Sequence, residues 1–467
     1  MQLSTDKEIK ILSKRLDAVL DIVKKQNIVI NELKGKNRQL TSENKKLTDR
    51  LWRYENPKNS NNSSMPPSQD ENRPTRKSLR ERSGKKAGGQ KGRVGKTLKQ
   101  VEHPDVIKDC ISNYCTCCGE DLSSVVPISM GKRQVIDIPK VRVQVTEYEQ
   151  FNKICHCGKS NLGTYPMEAN APVSYGPNIE GLIGYFSTRH YLPFGRLKEI
   201  LSDVFGAQIS TGGIHSLLSK LSQKGQPAYQ AIKERITNSS LAVGSDETGM
   251  KVNGNKHWAW TWQNKEATFI SITDNRGFKS IEDNCKEGFK NAVLVHDCWA
   301  SHFKTEALSH QICIVHLLRD LNYLTEKYNH KWSQVCKNLL QEAIALKHKM
   351  NTTDYLNHCP ERQRLEKWLN LLLKYPLPED DKEMVTFQKR LIKYREYIFT
   401  FLYREEVPAD NNASERAVRN IKVKQKVSGQ FKSDKGAETF AILRSVIDTT
   451  IKNNGNVLHT LANMSHI

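Results

Sequence analysis

The sequence predicts a multidomain α+β chain: an N-terminal coiled coil, a zinc ribbon, helix-turn-helix-like helices and an α/β domain with an all-helical insertion. Three observations predict it. Apolar residues recur every seven positions over residues 9–54, six cysteines crowd between Cys110 and Cys157, and strand-like runs follow residue 240. The chain has 467 residues, room for about three folded units. It carries 72 Lys and Arg against 51 Asp and Glu, a formal net charge of +21, and 37% hydrophobic residues. That is enough apolar material for real cores and excludes a wholly disordered chain. No apolar run approaches the ~18–20 residues of a membrane span, and Met1–Asp6 lacks the basic-then-apolar order of a signal peptide. A soluble, cytoplasmic protein with no membrane partner is expected.

Residues 1–55 form the predicted zipper. One seam position reads Ile9, Leu16, Val23, Ile30, Asn37, Asn44, Leu51 and the other Leu12, Val19, Gln26, Leu33, Leu40, Leu47, Tyr54. β-Branched residues at the first and Leu at the second favour a parallel two-stranded coiled coil, with Asn37 and Asn44 fixing register. The alternative is a long amphipathic helix folded against its own domain. Six heptads interrupted by only Gly35 favour self-association, so a homo-oligomer is expected.

Residues 56–100 read as a linker and arm. Asn56–Pro67 is rich in Asn, Ser and Pro and has nothing to bury. Beyond it Arg76, Lys77, Lys85, Lys86, Lys91 and Arg93 stand among glycines. The first 100 residues hold 25 Lys and Arg against 11 Asp and Glu, a surplus of 14 out of the total 21. A basic excess concentrated this way suits nucleic acid, tracking its backbone rather than its bases.

Residues 101–170 contain Cys115-x-x-Cys118-Gly119 and Cys155-x-Cys157-Gly158. Each Cys-turn-Gly aims two sulfurs at one point, and two such turns supply the four thiolates of a structural Zn²⁺ site. Cys110, Cys117 and His156 are alternative ligands. An odd total of eleven cysteines in a chain without a secretion signal fits metal binding in a reducing compartment. Between the turns, Val135–Pro139 and Val141–Val145 alternate like strands.

Residues 171–235 read as helices: Ile179–Thr188, Arg196–Val204, then a Gly206 turn, a Ser210 cap and Gly213–Leu221. That is the helix-turn-helix pattern, which any αα-hairpin shares.

From residue 236 the pattern turns to strands. Leu241–Thr248 is an apolar run ending in carboxylates, Lys256–Gln263 puts Trp258, Trp260 and Trp262 on one face, and Ala267–Thr273 follows. A helical stretch over Phe278–Phe289 leads to Ala292–Asp297, another apolar run ending in Asp. Three strands, a helix and a fourth strand is the order of a ribonuclease-H-like domain. There Asp246 and Asp297 would lie on adjacent strands, a pair suited to Mg²⁺. Lys331–Lys349, Glu361–Lys374 and Asp381–Leu402 read as helices, an insertion over about 325–403. Asp410–Arg419 then looks like a capped helix presenting Glu415, although Asn412-x-x-Glu415 is also a capping box.

These residues resemble the insertion-sequence transposases of the IS-sixty-six type over nearly the whole chain. The resemblance runs through the zipper, Asn62-Ser63-Ser64-Met65-Pro66-Pro67-Ser68, Gly88-Gly89-Gln90-Lys91-Gly92 and the cysteine segment. Asp246-Glu247-Thr248, the Asp297 strand and Asp410-Asn411-Asn412-Ala413-Ser414-Glu415-Arg416 complete it. It implies that Asp246, Asp297 and Glu415 are the DDE triad of a transposase, holding Mg²⁺ or Mn²⁺ for phosphoryl transfer on DNA. It places His316 and Arg319 near phosphate, His316 having a core-histidine alternative, and gives Arg416 and Arg419 phosphates to neutralise. The partners implied are terminal inverted repeats, target DNA and accessory proteins of the same element, in a nucleoid-associated protein. Two departures from the family stand outside the triad: Arg93 replaces a frequent His, and no Pro follows Arg419 closely. A non-enzymatic DNA-binding regulator, a cleavage-inactive relative and a nuclease without strand transfer are the alternatives. A regulator would have no use for the three acids.

Overall fold

The heptad repeat folds as one helix, α1 (Gln2–Glu55), in a computed structural model that describes residues 2–59, 62, 63, 70, 92 and 98–464. Its seam residues Ile9, Leu16, Leu33, Leu40 and Leu47 are exposed. Its last turns touch the rest of the chain. Trp52 meets Tyr323 edge-on at 5.5 Å, Asp49 lies 3.3 Å from Lys327 and Arg53 lies 3.2 Å from Glu383. The predicted arm residues Arg76, Lys77, Lys85, Lys86, Lys91 and Arg93 fall outside the described residues.

The cysteine segment departs from its expected form. A short hairpin, β1 (Asn152–Ile154) with β2 (Ser160–Leu162), flanks the second Cys turn. The strands expected at Val135–Pro139 and Val141–Val145 pair with no ladder among the described residues. Gln134 instead takes both backbone groups of Val101 on its side-chain amide at 2.8 Å, and Pro139 offers no N–H. Val135, Ile138 and Val145 are each more than 80% exposed, so no packed layer rewards pairing.

Next come α2 (Pro177–Gly184), a π-turn over Tyr185–Arg189, α3 (Phe194–Phe205), α4 (Thr211–Lys224) and α5 (Gln226–Thr237). The turn between α3 and α4 follows its chemistry: Gly206 sits at φ 69°, and Ser210 Oγ accepts the Gly213 N–H at 3.0 Å. These helices bury Leu197, Leu201, Ile214 and Leu221 in one core with Trp260, Trp262 and Phe269 of the sheet.

The sheet contains β3 (Val243–Val252), β4 (Asn255–Gln263), β5 (Thr268–Thr273), β6 (Phe289–His296) and β7 (Ala307–Ile312), with the short α6 (Phe278–Asn284) before β6. Its order is β5-β4-β3-β6-β7, antiparallel through β3 and parallel from β3 to β7. Strand β3 runs four residues past the expected end at Thr248. The cause is the two-residue turn Asn253-Gly254, both at positive φ, which folds β4 back along it. The expected helix over Phe278–Phe289 stops at Asn284, and Phe289 already belongs to β6.

The insertion comprises α8 (Lys331–Lys349), α9 (Thr352–Leu356), α10 (Pro360–Lys374) and α11 (Lys382–Lys393), following α7 (Ile314–Tyr328). The last expected helix breaks after Lys393 into 3₁₀ turns at Arg395–Tyr397 and Thr400–Leu402. These turns cover the β7 edge: Thr400 Oγ1 donates to His310 O, and Gln311 exchanges bonds with Ile398 O and Phe401 N. The chain ends with α12 (Asn412–Ser428), α13 (Asp434–Lys452) and α14 (Val457–Met464).

Helix α13 covers the other edge. Ser445 and Thr449 hydroxyls accept the Ile270 and Thr268 N–H groups of β5, and Lys452 Nζ donates to Ala267 O. Its Arg444 is fully buried, paired with Asp448 through two bonds and donating to Thr188 O and Tyr191 Oη. Arg444→Ala leaves Asp448 without its charge partner and should cost about 3–5 kcal/mol, read as a lowered urea midpoint; an unchanged midpoint would contradict this account of α13.

Candidate active site

On β3, Gly244, Asp246, Thr248 and Met250 share one face and Ser245 and Glu247 the other, because strand side chains alternate. The parallel partner β6 pairs with β3 only at Val243–Leu294 and Gly244–Val295. Beyond that register the strands part, and Asp246 and Asp297 stand where the ladder opens. Both come on the same face, since Gly244 is opposite Val295 and each acid lies two residues further along.

Helix α12 closes over this face. Asn411 Nδ2 donates to Ser245 O at 2.7 Å, Ser414 is fully buried, and Asp410 Oδ1 accepts the Asn412 N–H. A Cβ on Gly244 would lie 2.7 Å from Asn411 Oδ1 and nearer still to Ser414 Oγ, so only glycine allows this approach. The capping box expected from Asn412-x-x-Glu415 does not form: the helix is entered through Asn411, with no side-chain cap, so Glu415 is its fourth residue. Glu415 turns to α7 instead, with Oε1 3.6 Å from Arg319 and 3.9 Å from His316. That oxygen is buried and has no hydrogen-bond partner among the described residues.

The electrostatics follow from this crowding. Burial drives the Asp246 carboxyl well above the ordinary Asp value, and the like charges of Glu247, Asp297 and Glu415 add to it. Burial also holds His316 below the ordinary imidazole value, against the pull of Asp297 and Glu415. Among the described residues, no three His, Cys, Asp or Glu side chains are close enough together to hold a metal ion. The donor chemistry of the three acids nevertheless suits a hard divalent cation: oxygen ligands, mutual repulsion and one buried carboxylate oxygen left unbonded.

Glu247, which the sequence reading did not single out as a site residue, anchors the opposite face. Burial disfavours its charge, but the His302 hydrogen bond and charge, with Arg276, win and hold it below the usual Glu value. Arg276 Nε donates to Glu247 Oε1 at 2.6 Å and His302 Nε2 to Glu247 Oε2 at 3.2 Å. His302 Nε2 also lies 3.8 Å from Asp297 Oδ1, so this network connects β3 to the second acid. Strand alternation could have flagged Glu247 as facing away from Asp246. Its partners, 29 and 55 residues later, carry no local signal.

The cysteine turns form as turns. Gly119 and Gly158 have φ of 77° and 81°, and their N–H groups donate to Cys115 O and Cys155 O. The backbone N–H groups of Cys118 and Cys117 draw the Cys115 thiol down to about 7, and that of Cys157 lowers Cys155. The thiolates suit zinc, but the two turns are not gathered into one site. Arg416 and Arg419 are exposed on α12.

A family model described as Transposase IS66 family matches residues 173–439, more than half of the chain. A second, described as a family of unknown function (DUF6444), matches residues 23–99. No curated protein matches the chain.

A carboxyl whose folded pKa is raised contributes stability below its unfolded value, 3.8 for Asp, and loses it as pH rises through the folded value. Asp246→Asn, neutral at every pH, should therefore raise the urea midpoint of the metal-free chain at about pH 7.5 and bring no such gain at about pH 3.5. A lower midpoint at neutral pH would contradict the repulsion assigned to this site.

Proposed function

The chain belongs to the IS66 transposase family, and from that premise we propose that it binds the ends of an insertion sequence and catalyses metal-dependent DNA cleavage and strand transfer. The observation that supports the proposal is that the buried Asp246 feels the charges of Asp297 and Glu415, with a buried Glu415 oxygen left unbonded, although among the described residues the three carboxylates are not gathered closely enough to hold a metal ion. The strand order, three antiparallel strands followed by two parallel ones, supports a ribonuclease-H-like assignment for the catalytic domain.

In this reading Asp246, Asp297 and Glu415 would hold Mg²⁺ or Mn²⁺, which would supply charge stabilisation for an in-line displacement at phosphorus. The rest falls to the chain's own groups. Arg319 neutralises Glu415 until substrate arrives and then faces phosphate, with His316 beside it. Arg416 and Arg419 meet the DNA backbone from the exposed side of α12. The basic residues of 56–100 add sequence-independent affinity by releasing counterions, and the exposed face of α4, with His215, Ser216 and Lys220, is the surface offered to a groove.

The exposed seam of α1 supports pairing of two or more copies through the zipper. Cys115, Cys118, Cys155 and Cys157 would hold a structural Zn²⁺, consistent with the lowered Cys115 and Cys155 thiols. Accessory proteins of the element are further partners. The setting proposed is the cytoplasm, at the nucleoid; among the described residues no helix is long and apolar enough to cross a membrane.

The test is strand cleavage of a DNA fragment carrying this gene with its flanks, with Mg²⁺ or Mn²⁺. Asp246→Asn, Asp297→Asn and Glu415→Gln should each lower cleavage by at least about a hundredfold while leaving DNA binding in place. Cleavage surviving in Asp297→Asn would remove the catalytic assignment.

A further inference from the structure

Along the Glu247 face of the sheet, leading to the Asp297 loop, runs a row of alternating cations and aromatic rings that the cleavage chemistry does not use. Lys256 Nζ lies 4.8 Å from the Trp258 ring centre, and Arg276 Cζ lies 5.0 Å from Trp258 and 4.0 Å from Trp299. The row ends at the site itself, because the Trp299 N–H donates to Asp297 Oδ1 at 2.8 Å. Its middle cation cannot swing away: Arg276 is held by Glu247, whose side chain is 2% exposed. Trp299 is nonetheless 39% exposed, although nearby Trp260 and Trp262 are fully buried. A large ring stiffly backed by a guanidinium and left open beside Asp297 presents a π-face to whatever enters there.

We propose that Trp299 and Arg276, continued by Trp258 and Lys256, form a stacking platform for unpaired bases of the DNA strand that enters the acid cluster. Every base has a π-face, so stacking on an indole holds single-stranded DNA without reading its sequence, and the interleaved cations take the phosphates between. Duplex DNA, its bases already stacked on one another, offers the ring no face. The site therefore prefers a strand locally unpaired next to the phosphate being cut. This rests on the DNA-processing reading above and adds to it the state of the substrate.

The test uses the full chain without divalent cations, so that binding is read apart from chemistry. The probes are a fluorescein-labelled oligothymidylate of about 20 nucleotides and a blunt duplex of the same length, followed by anisotropy. Trp299→Ala should weaken oligothymidylate binding by at least about fivefold with duplex binding little changed, and Trp299→Phe, which keeps a ring, should restore most of the loss. The backbone N–H that holds Asp297 survives in both variants, and equal thermal midpoints check that both fold. Equal loss on the two probes, no loss on either, or no rescue by Phe overturns the platform. The two readings fail separately. Cleavage persisting in Asp297→Asn removes the catalytic reading, whereas loss of cleavage there with single-strand affinity unmoved in Trp299→Ala removes the platform alone.

Discussion

The hydrogen bond from Asn411 Nδ2 to the Ser245 carbonyl, with Ser414 pressed onto Gly244, joins two parts of the chain some 166 residues apart. The placement of the third acid depends on that approach. Asp246 and Asp297 are set by the register of β3 and β6, but Glu415 is brought toward them because α12 begins against the bare backbone of Gly244. The long insertion between the acids returns the chain to β7 and to Asn411. The 3₁₀ turns at Thr400–Leu402 and the bond from Asn411 N–H to Cys313 Sγ make that return.

Such a site is assembled against its own electrostatics. Burial and three neighbouring acids oppose ionisation of Asp246, while Arg319 stands 3.6 Å from the third acid, Glu415. The opposing support lies on the other face of β3, where Arg276 and His302 both hydrogen-bond Glu247 and Trp260 packs edge-on against His302 at 5.8 Å. Adjacent residues of one strand thus have opposite tasks: Asp246 is kept under repulsion, and Glu247 is paired and fixed. Edge closure by α13 and by the 3₁₀ turns keeps the sheet rigid enough to hold that difference.

Much of this was legible in the sequence where the signal is periodic or local. The heptad foretold the single helix α1, the alternating Trp258, Trp260 and Trp262 foretold strand β4, which is buried on both faces from Ala259 on, and Gly206 with Ser210 foretold the turn into α4. The misses have physical causes. Strand β3 outran its expected end because the Asn253-Gly254 turn paired it with β4, and Val135–Val145 stayed unpaired because alternation without a layer to pack against does not make a sheet. Glu415 looked like a cap because spacing alone cannot tell the third helical residue from the fourth; the entry at Asn411 decided it. The Glu247 network depends on contacts between distant positions that no local pattern encodes.

The central claim is that the docking of α12 on β3 brings Glu415 toward Asp246 and Asp297, so that a divalent cation would draw the three carboxylates together. Calorimetric titration of Mn²⁺ into the metal-free full chain, beside Glu415→Gln and Gly244→Ala, tests it most directly. The account predicts binding in the wild type that weakens at least about tenfold in both variants, since one loses the ligand and the other its approach. Equal Mn²⁺ affinity in all three chains would show that the cation, if held, is held elsewhere.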